Sequence, residues 1–94
     1  MDKYILEDTE YKLIENYKDG FNFEELKNKY TDYFKDYDYI VGDWAYGKLR
    51  LKGFCNKNNP NLTNINDFSI YKDYIKDHCA YECKYFVIKK VSYN

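Results

Sequence analysis

The residues best equipped for chemistry in this 94-residue chain fall within 42–53, GDWAYGKLRLKG. Read as a strand, Tyr46, Lys48, Arg50 and Lys52 share one face, because side chains alternate along a strand. Arginine is a planar five-donor fork that matches phosphate or carboxylate and stacks on rings. Asp43 and Trp44 stand just before, on a partner strand. Tryptophan and arginine are also the types most enriched where one macromolecule grips another. The chemistry on offer is recognition: Trp44 and Tyr46 as apolar anchors, Arg50 as the charge-specific contact, and Lys48 and Lys52 as steering charges.

The background makes this stretch stand out. Most of the chain is written in Lys, Asn, Tyr, Ile, Asp and Glu. Gly, Ala, Arg and Pro together number eight, and five of them sit here: Gly42, Ala45, Gly47, Arg50 and Gly53. The only Trp and the only Arg are Trp44 and Arg50. Geometry or contact must demand such types against the drift of composition, with Gly42, Gly47 and Gly53 shaping the backbone. Two readings account for the cluster. In one it is a contact surface for a protein or for RNA, and Arg50→Ala or Tyr46→Ala leaves stability nearly unchanged. In the other the Lys and Arg side chains are a solvated sheet face, Asp43 pairs with Arg50 across the hairpin, and Trp44 belongs to the core.

Other chemistry is thinner. His78, Cys79 and Cys83, with Cys55 further off, could supply four zinc ligands. Cys-x₃-Cys alone is a weak signal, and Cys55 would have to arrive from an Asn-rich loop, so these are read as structural thiols and no metal or cofactor is expected. Asp36, Asp38 and Asp43 could form an acid–base cluster, but Asp is abundant throughout. A Cys–His nucleophile needs a third, orienting group, and none is evident. No Gly-rich phosphate loop or nucleophile elbow is present. A non-enzymatic chain with no small-molecule substrate is expected.

Size and charge set further bounds. A chain this short makes one domain, 1–94, and buries only about 60–65% of the surface its unfolded form exposes. Thirteen Tyr and six Phe must supply much of the core, since Leu, Ile and Val total sixteen. The net charge of −1 hides a split: residues 1–47 carry twelve acids and six bases, and residues 48–94 carry four acids and nine bases. A balanced whole argues against non-specific binding to nucleic acid or membrane. No apolar run approaches a membrane span, and the N-terminus lacks a signal-peptide pattern. An odd number of cysteines fits free thiols in a reducing compartment, the cytoplasm.

The elements that must position the hairpin follow from local pattern. Residues 4–17 read as a hairpin with a turn near Asp8-Thr9-Glu10, although the alternation fails at Leu13-Ile14. Asn22 caps a helix running from about Phe23 to Lys35, with Glu25 completing a capping box and Phe21 able to staple onto Leu26. Phe23, Leu26, Tyr30, Tyr33 and Phe34 form its apolar stripe, and its opposite, acidic face is a fallback surface for a basic partner. Tyr39-Ile40-Val41 begins a strand that reverses at Tyr46-Gly47, where glycine supplies positive φ. Leu49 and Leu51 then face the core. Residues 55–66, CNKNNPNLTNIN, are an Asn-rich surface loop and the candidate mobile segment. A second helix starts at Asn66 or Asp67, and Tyr85-Phe86-Val87-Ile88 is the final strand. The fold class is α+β, in the order β-β-α-β-β-α-β, with a mainly antiparallel sheet and both helices on one face.

The run YDYIVGDWAYGKLRLKGF, Tyr37 to Phe54, resembles the signature of the YutD-like family of short proteins from low-GC Gram-positive bacteria and their relatives. The later Tyr74, Cys79, Cys83, Tyr85, Phe86 and Val87 resemble that family's ending, and Tyr11-Lys12-Leu13-Ile14 before a capped helix fits it too. The likeness spans roughly residues 10–90. It implies one compact cytosolic domain and no particular activity. The combined expectation is a small cytosolic binding or regulatory module engaging a protein partner through hairpin 42–53; the alternative is an RNA-associated protein using the basic-aromatic strand 46–52.

Overall fold

The computed structural model describes residues 3–78 and 83–91. Its elements are β1 (Lys3–Leu6), β2 (Thr9–Tyr17), α1 (Phe23–Lys29), a 3-10 turn (Asp32–Asp36), β3 (Tyr39–Ala45), β4 (Lys48–Phe54), a second 3-10 turn (Phe68–Ile70), α2 (Tyr71–His78) and β5 (Tyr85–Lys90). The strands form one sheet in the order β1-β2-β5-β3-β4, with every pair antiparallel. The α+β class and the element order are those expected from the sequence.

The expectation of both helices on one face is corrected. Ile40 and Gly42 of β3 lie opposite Ile88 and Phe86 of β5, and this side of the sheet packs on Leu26 of α1, with Tyr11, Tyr30, Phe34 and Leu49. The alternate residues Tyr39, Val41, Phe54 and Val87 point the other way and meet Tyr71, Tyr74 and Ile75 of α2. The central strands β3 and β5 are apolar at consecutive positions, so both of their faces must be covered. One helix on each side does that.

Several local signals hold with shifted boundaries. The Asn22 side chain accepts the Glu25 amide at 3.1 Å, as a capping residue should. The helix nevertheless ends at Lys29, six residues early. Tyr30 leaves helical geometry at ψ 137, and its hydroxyl is 2.9 Å from that of buried Tyr11. A long-range contact thus overrides the helical period, and the chain resumes as a 3-10 turn that buries Phe34 and exposes Tyr33. The first hairpin turns at Glu7-Asp8, both at positive φ, just ahead of the expected turn.

The broken alternation at Leu13-Ile14 has a structural cause. Leu13 lies opposite Ile88 and Glu15 opposite Val87, so Ile14 is the extra residue of a β-bulge. The bulge moves Glu15 onto the α2 side. There its carboxylate accepts the hydroxyls of Tyr71 at 2.6 Å and Tyr85 at 2.7 Å. Burial first, then the hydrogen bond to Glu15, pushes the Tyr85 hydroxyl up to about 12.

The Asn-rich loop is tied to the domain by hydrogen bonds of its own side chains. Asn59 donates to the Asp36 carbonyl and to the Asp38 carboxylate. Buried Asn66 accepts the Thr63 amide and donates to the Asn61 carbonyl. Short amides can replace the backbone bonds that a loop lacks.

Packing also explains two of the glycines. A Cβ on Gly42 would come 2.3 Å from the Phe86 ring, and one on Gly53 would come 2.4 Å from the Tyr37 ring. Phe86 is fully buried, whereas Tyr37 is half-buried and has room to yield. Gly42→Ala should therefore cost about 1–3 kcal/mol by overpacking, and Gly53→Ala should cost less. Urea-denaturation midpoints of the two variants check this ordering.

Candidate functional site: the β3–β4 hairpin

The hairpin is built by register and by one tight turn. Ala45 lies opposite Lys48, which leaves Tyr46-Gly47 as a two-residue turn. Both turn residues have positive φ, 54° and 76°, the combination that a type I′ turn requires. The expected reversal is therefore where the sequence places it.

Register then sorts the candidate residues. Asp43 sits opposite Arg50, and Trp44 opposite Leu49. Leu49, Leu51 and Trp44 pack toward α1. Asp43, Lys48, Arg50 and Lys52 turn to the α2 side.

Asp43 is only 1% exposed. Its two oxygens accept Arg50 Nε at 3.2 Å and a terminal guanidinium nitrogen at 2.7 Å, a two-pronged pair. That same nitrogen also donates to the His78 carbonyl, at 2.7 Å, at the end of α2. Arg50 keeps 43% of its side chain exposed. The hydrogen bond to Asp43 holds the guanidinium even more firmly protonated than usual. Tyr74 lies near both groups: burial pushes its hydroxyl up, and the negative charge of Asp43 pushes further.

The remaining candidates are largely engaged within the chain. The Trp44 indole N–H donates to the Gly20 carbonyl at 2.7 Å, and Lys84 Nζ lies 4.7 Å from the centre of its ring. Trp44 thus fastens the hairpin to the segment between β2 and α1. Lys52 Nζ lies over the rings of Phe54 and Tyr74, at 5.2 and 5.6 Å. Lys48 is exposed. Tyr46, at the tip, is 103% exposed, more than any other large hydrophobic residue described.

Among the described residues, the thiol and histidine candidates Cys55 and His78 do not converge. Cys55 is a buried free thiol just past β4, and burial pushes its pKa up. His78 is exposed, stacked on Tyr74 and bonded through Nδ1 to the Tyr74 carbonyl at 3.1 Å. The His78 carbonyl meets the sheet at Arg50, five residues before Cys55, a separation of about 16 Å along a strand. Among the described residues no cluster of three His, Cys, Asp or Glu side chains could hold a metal. Cys83 is disulfide-bonded, which corrects the expectation of a free thiol there. Cys79 lies outside the described residues. Asp38 is committed to Asn56 and Asn59, and Asp43 to Arg50, so the three-Asp cluster does not form.

A family model described as "Putative antitoxin YutD-like" matches residues 5–89, and so takes in the whole hairpin. The chain belongs to the YutD-like family. It is 45% identical over 87 residues to "Putative antitoxin YutD" of Bacillus subtilis (strain 168), covering 93% of this chain and 96% of that relative. It also resembles the solution NMR structure of protein yutD from B. subtilis, with a TM-score of 0.79 and 44% identity over 95% of this chain and 81% of that one. The family assignment from the sequence is therefore correct. Among the described residues of this YutD-like chain, no helix is long and apolar enough to cross a membrane.

Sequence reasoning missed the α2 terminus as a partner of the hairpin. The His78 carbonyl contacts Arg50 through its backbone, and a backbone acceptor leaves no mark in side-chain types. The geometry also overturns the expectation that Arg50→Ala leaves stability unchanged. Its removal would strand a buried carboxylate, which costs about 3–5 kcal/mol for a fully buried pair. With Arg50 part-exposed, Arg50→Ala should cost about 2–3 kcal/mol. That corresponds to a fall in Tm of about 10–20 °C, measurable by circular dichroism melting.

Proposed function

We propose that this YutD-like chain is a small, non-enzymatic, cytoplasmic module that acts by holding a protein partner at the tip of the β3–β4 hairpin. The observation that carries this reading is Tyr46. It is fully exposed and held at φ 54 in a position where Asn, Asp or Gly would fit at lower cost. The ring contributes little to the fold and stands at the end of a two-stranded support. A large, rigid, amphipathic ring at low entropic cost is what a binding anchor needs.

The description of the family, and of the B. subtilis relative, as putative antitoxins supports the same direction. A protein antitoxin can neutralise its toxin by contact alone, which asks for a shaped surface and no catalytic group. The RNA-associated reading is the weaker one. It needs rings and basic groups together on an open sheet face, but Trp44 turns to the α1 side and α2 stands over the opposite side.

Tyr46→Asn separates contact from architecture. The variant should be more stable than the parent by about 0.5–1 kcal/mol, because asparagine tolerates the left-handed region. It should also fail to retain the protein that the parent chain retains on affinity purification from native cells treated with nuclease. A variant that loses stability, or keeps the partner, contradicts the reading. A partner released by nuclease points to RNA instead.

A further inference from the structure

Three exposed lysines lie directly opposite one another across the sheet. Lys3 of β1 faces Lys12 of β2, and Lys12 faces Lys89 of β5. Their chain neighbours Tyr11 and Ile88 point toward α1, so Lys12 and Lys89 project from the other face. Like charges directly opposite on neighbouring strands are destabilising. Lys3 has the Glu10 carboxylate at 3.5 Å. Lys12 and Lys89 make no ion pair among the described residues. The nearest ring to Lys89 Nζ is that of Tyr39, centred 5.9 Å away, and it cancels no charge. Val91 N–H donates to the Glu10 carbonyl, which makes Lys12 and Lys89, two residues along, a hydrogen-bonded pair. Such pairs hold their Cα atoms about 5.5 Å apart. The fold thus keeps two unopposed cations side by side.

Both lysines open into a cleft of about 460 Å³, lined also by Lys90, Asn56 and Asp38. Lys90 Nζ donates to the Lys35 carbonyl at 2.6 Å, a neutral acceptor that leaves its charge in place. Asp38 Oδ2 accepts the Asn56 amide at 2.8 Å and the Asn59 side chain at 3.0 Å, which ties that oxygen to the loop. Among the described residues, three ammonium groups stand against one carboxylate at this cleft, and it is net positive. Asn56 brings a side-chain amide as a neutral donor. A carboxylate ligand would supply one charge. A phosphate monoester supplies nearly two at neutral pH with three acceptor oxygens, and lysine meets phosphate as a point charge. A nucleic-acid strand asks for a positive groove that continues along its backbone. Here Glu10, two residues from Lys12, and Asp38 interrupt the positive patch.

We propose that the Lys12–Lys89 cleft is a binding site for a phosphate monoester, carried by a small molecule or by a phosphorylated side chain. The phosphate bridges the two ammonium groups and removes their mutual repulsion. The remaining volume takes the group that bears it. Tyr39 lies opposite Lys89, and β3 then runs six residues to Ala45 beside the hairpin turn. The site is therefore about 20 Å from the tip along the strand and does not depend on the reading of Tyr46.

The probe is inorganic phosphate, titrated into the full chain at constant ionic strength and followed in NMR spectra. Saturable shifts are expected at the Lys12, Lys89 and Asn56 amides at millimolar phosphate, and none with chloride. Lys12→Thr and Lys89→Thr should each weaken binding about tenfold, the scale of one charge-assisted hydrogen bond. Each should also raise Tm in phosphate-free buffer by about 1–5 °C, because the repulsion is gone. Lys72→Gln, which removes an exposed charge from α2, should leave the affinity unchanged. Glycerol phosphate and an end-blocked Gly-phosphoserine-Gly peptide separate the two carriers, the tighter binder naming the source. Absence of saturable shifts at the three amides overturns the proposal. An equal response to chloride does so too, being general screening, as does equal affinity for a short single-stranded RNA without terminal phosphate. Lysine-to-threonine variants less stable than the parent would also count against it, since the row would then hold no repulsion to relieve. Tyr46→Asn should bind phosphate as the parent does. Its loss of the cellular partner, alongside a silent cleft, would refute the phosphate site and leave the proposed function standing.

Discussion

A carboxylate with 1% of its surface exposed stays charged inside a protein only beside a matching cation. Asp43 is that carboxylate, and Arg50 is the cation. The pair lies across two neighbouring strands and reaches a third element, because Arg50 also holds the last carbonyl of α2. A lysine could neutralise Asp43, but it could not supply two parallel bonds to the carboxylate and serve the His78 carbonyl as well. That accounts for a single arginine in a chain otherwise given to lysine. The hairpin, the sheet and the helix over it are positioned relative to one another by this one fork.

The same logic runs through the rest of the unusual stretch. Gly42 makes room for Phe86, Gly53 makes room for Tyr37, and Gly47 supplies the second positive φ of the turn. Trp44 closes onto the Gly20 carbonyl. The residues that depart from the composition are those that the architecture requires. Tyr46 is the aromatic residue of the stretch whose side chain the fold does not use. The hairpin therefore divides into a foundation and a tip. Contact with a partner would draw on Tyr46, with Arg50 and Asp43 holding it in position.

Legibility in the sequence followed the range of the interactions. The Asn22 cap, the Tyr46-Gly47 reversal and the inward Leu49 and Leu51 depend on neighbours a few residues away, and they could be read directly. The end of α1 depends on a contact between Tyr30 and Tyr11, nineteen residues apart, and the helical stripe continued past it without warning. The bulge at Ile14 showed as a broken alternation, but its consequence, a glutamate turned toward two tyrosines of distant elements, did not. The side of the sheet that each helix covers was hidden as well, since an apolar stripe states that a surface is needed and not which one. For the candidate site, the Asp43–Arg50 pairing was visible as one of two alternatives. The burial of Asp43 was not visible, because it is set by α2, far along the chain.

A double-mutant cycle on Asp43→Asn and Arg50→Met, followed by urea denaturation, tests this account most directly. A pair that supports the hairpin as one unit should show a coupling energy of about 1.5–3 kcal/mol, with the double variant far less destabilised than the two single losses combined. Additive effects with coupling near zero would mean that the two groups act independently, and the claim that this fork holds the domain together would be wrong.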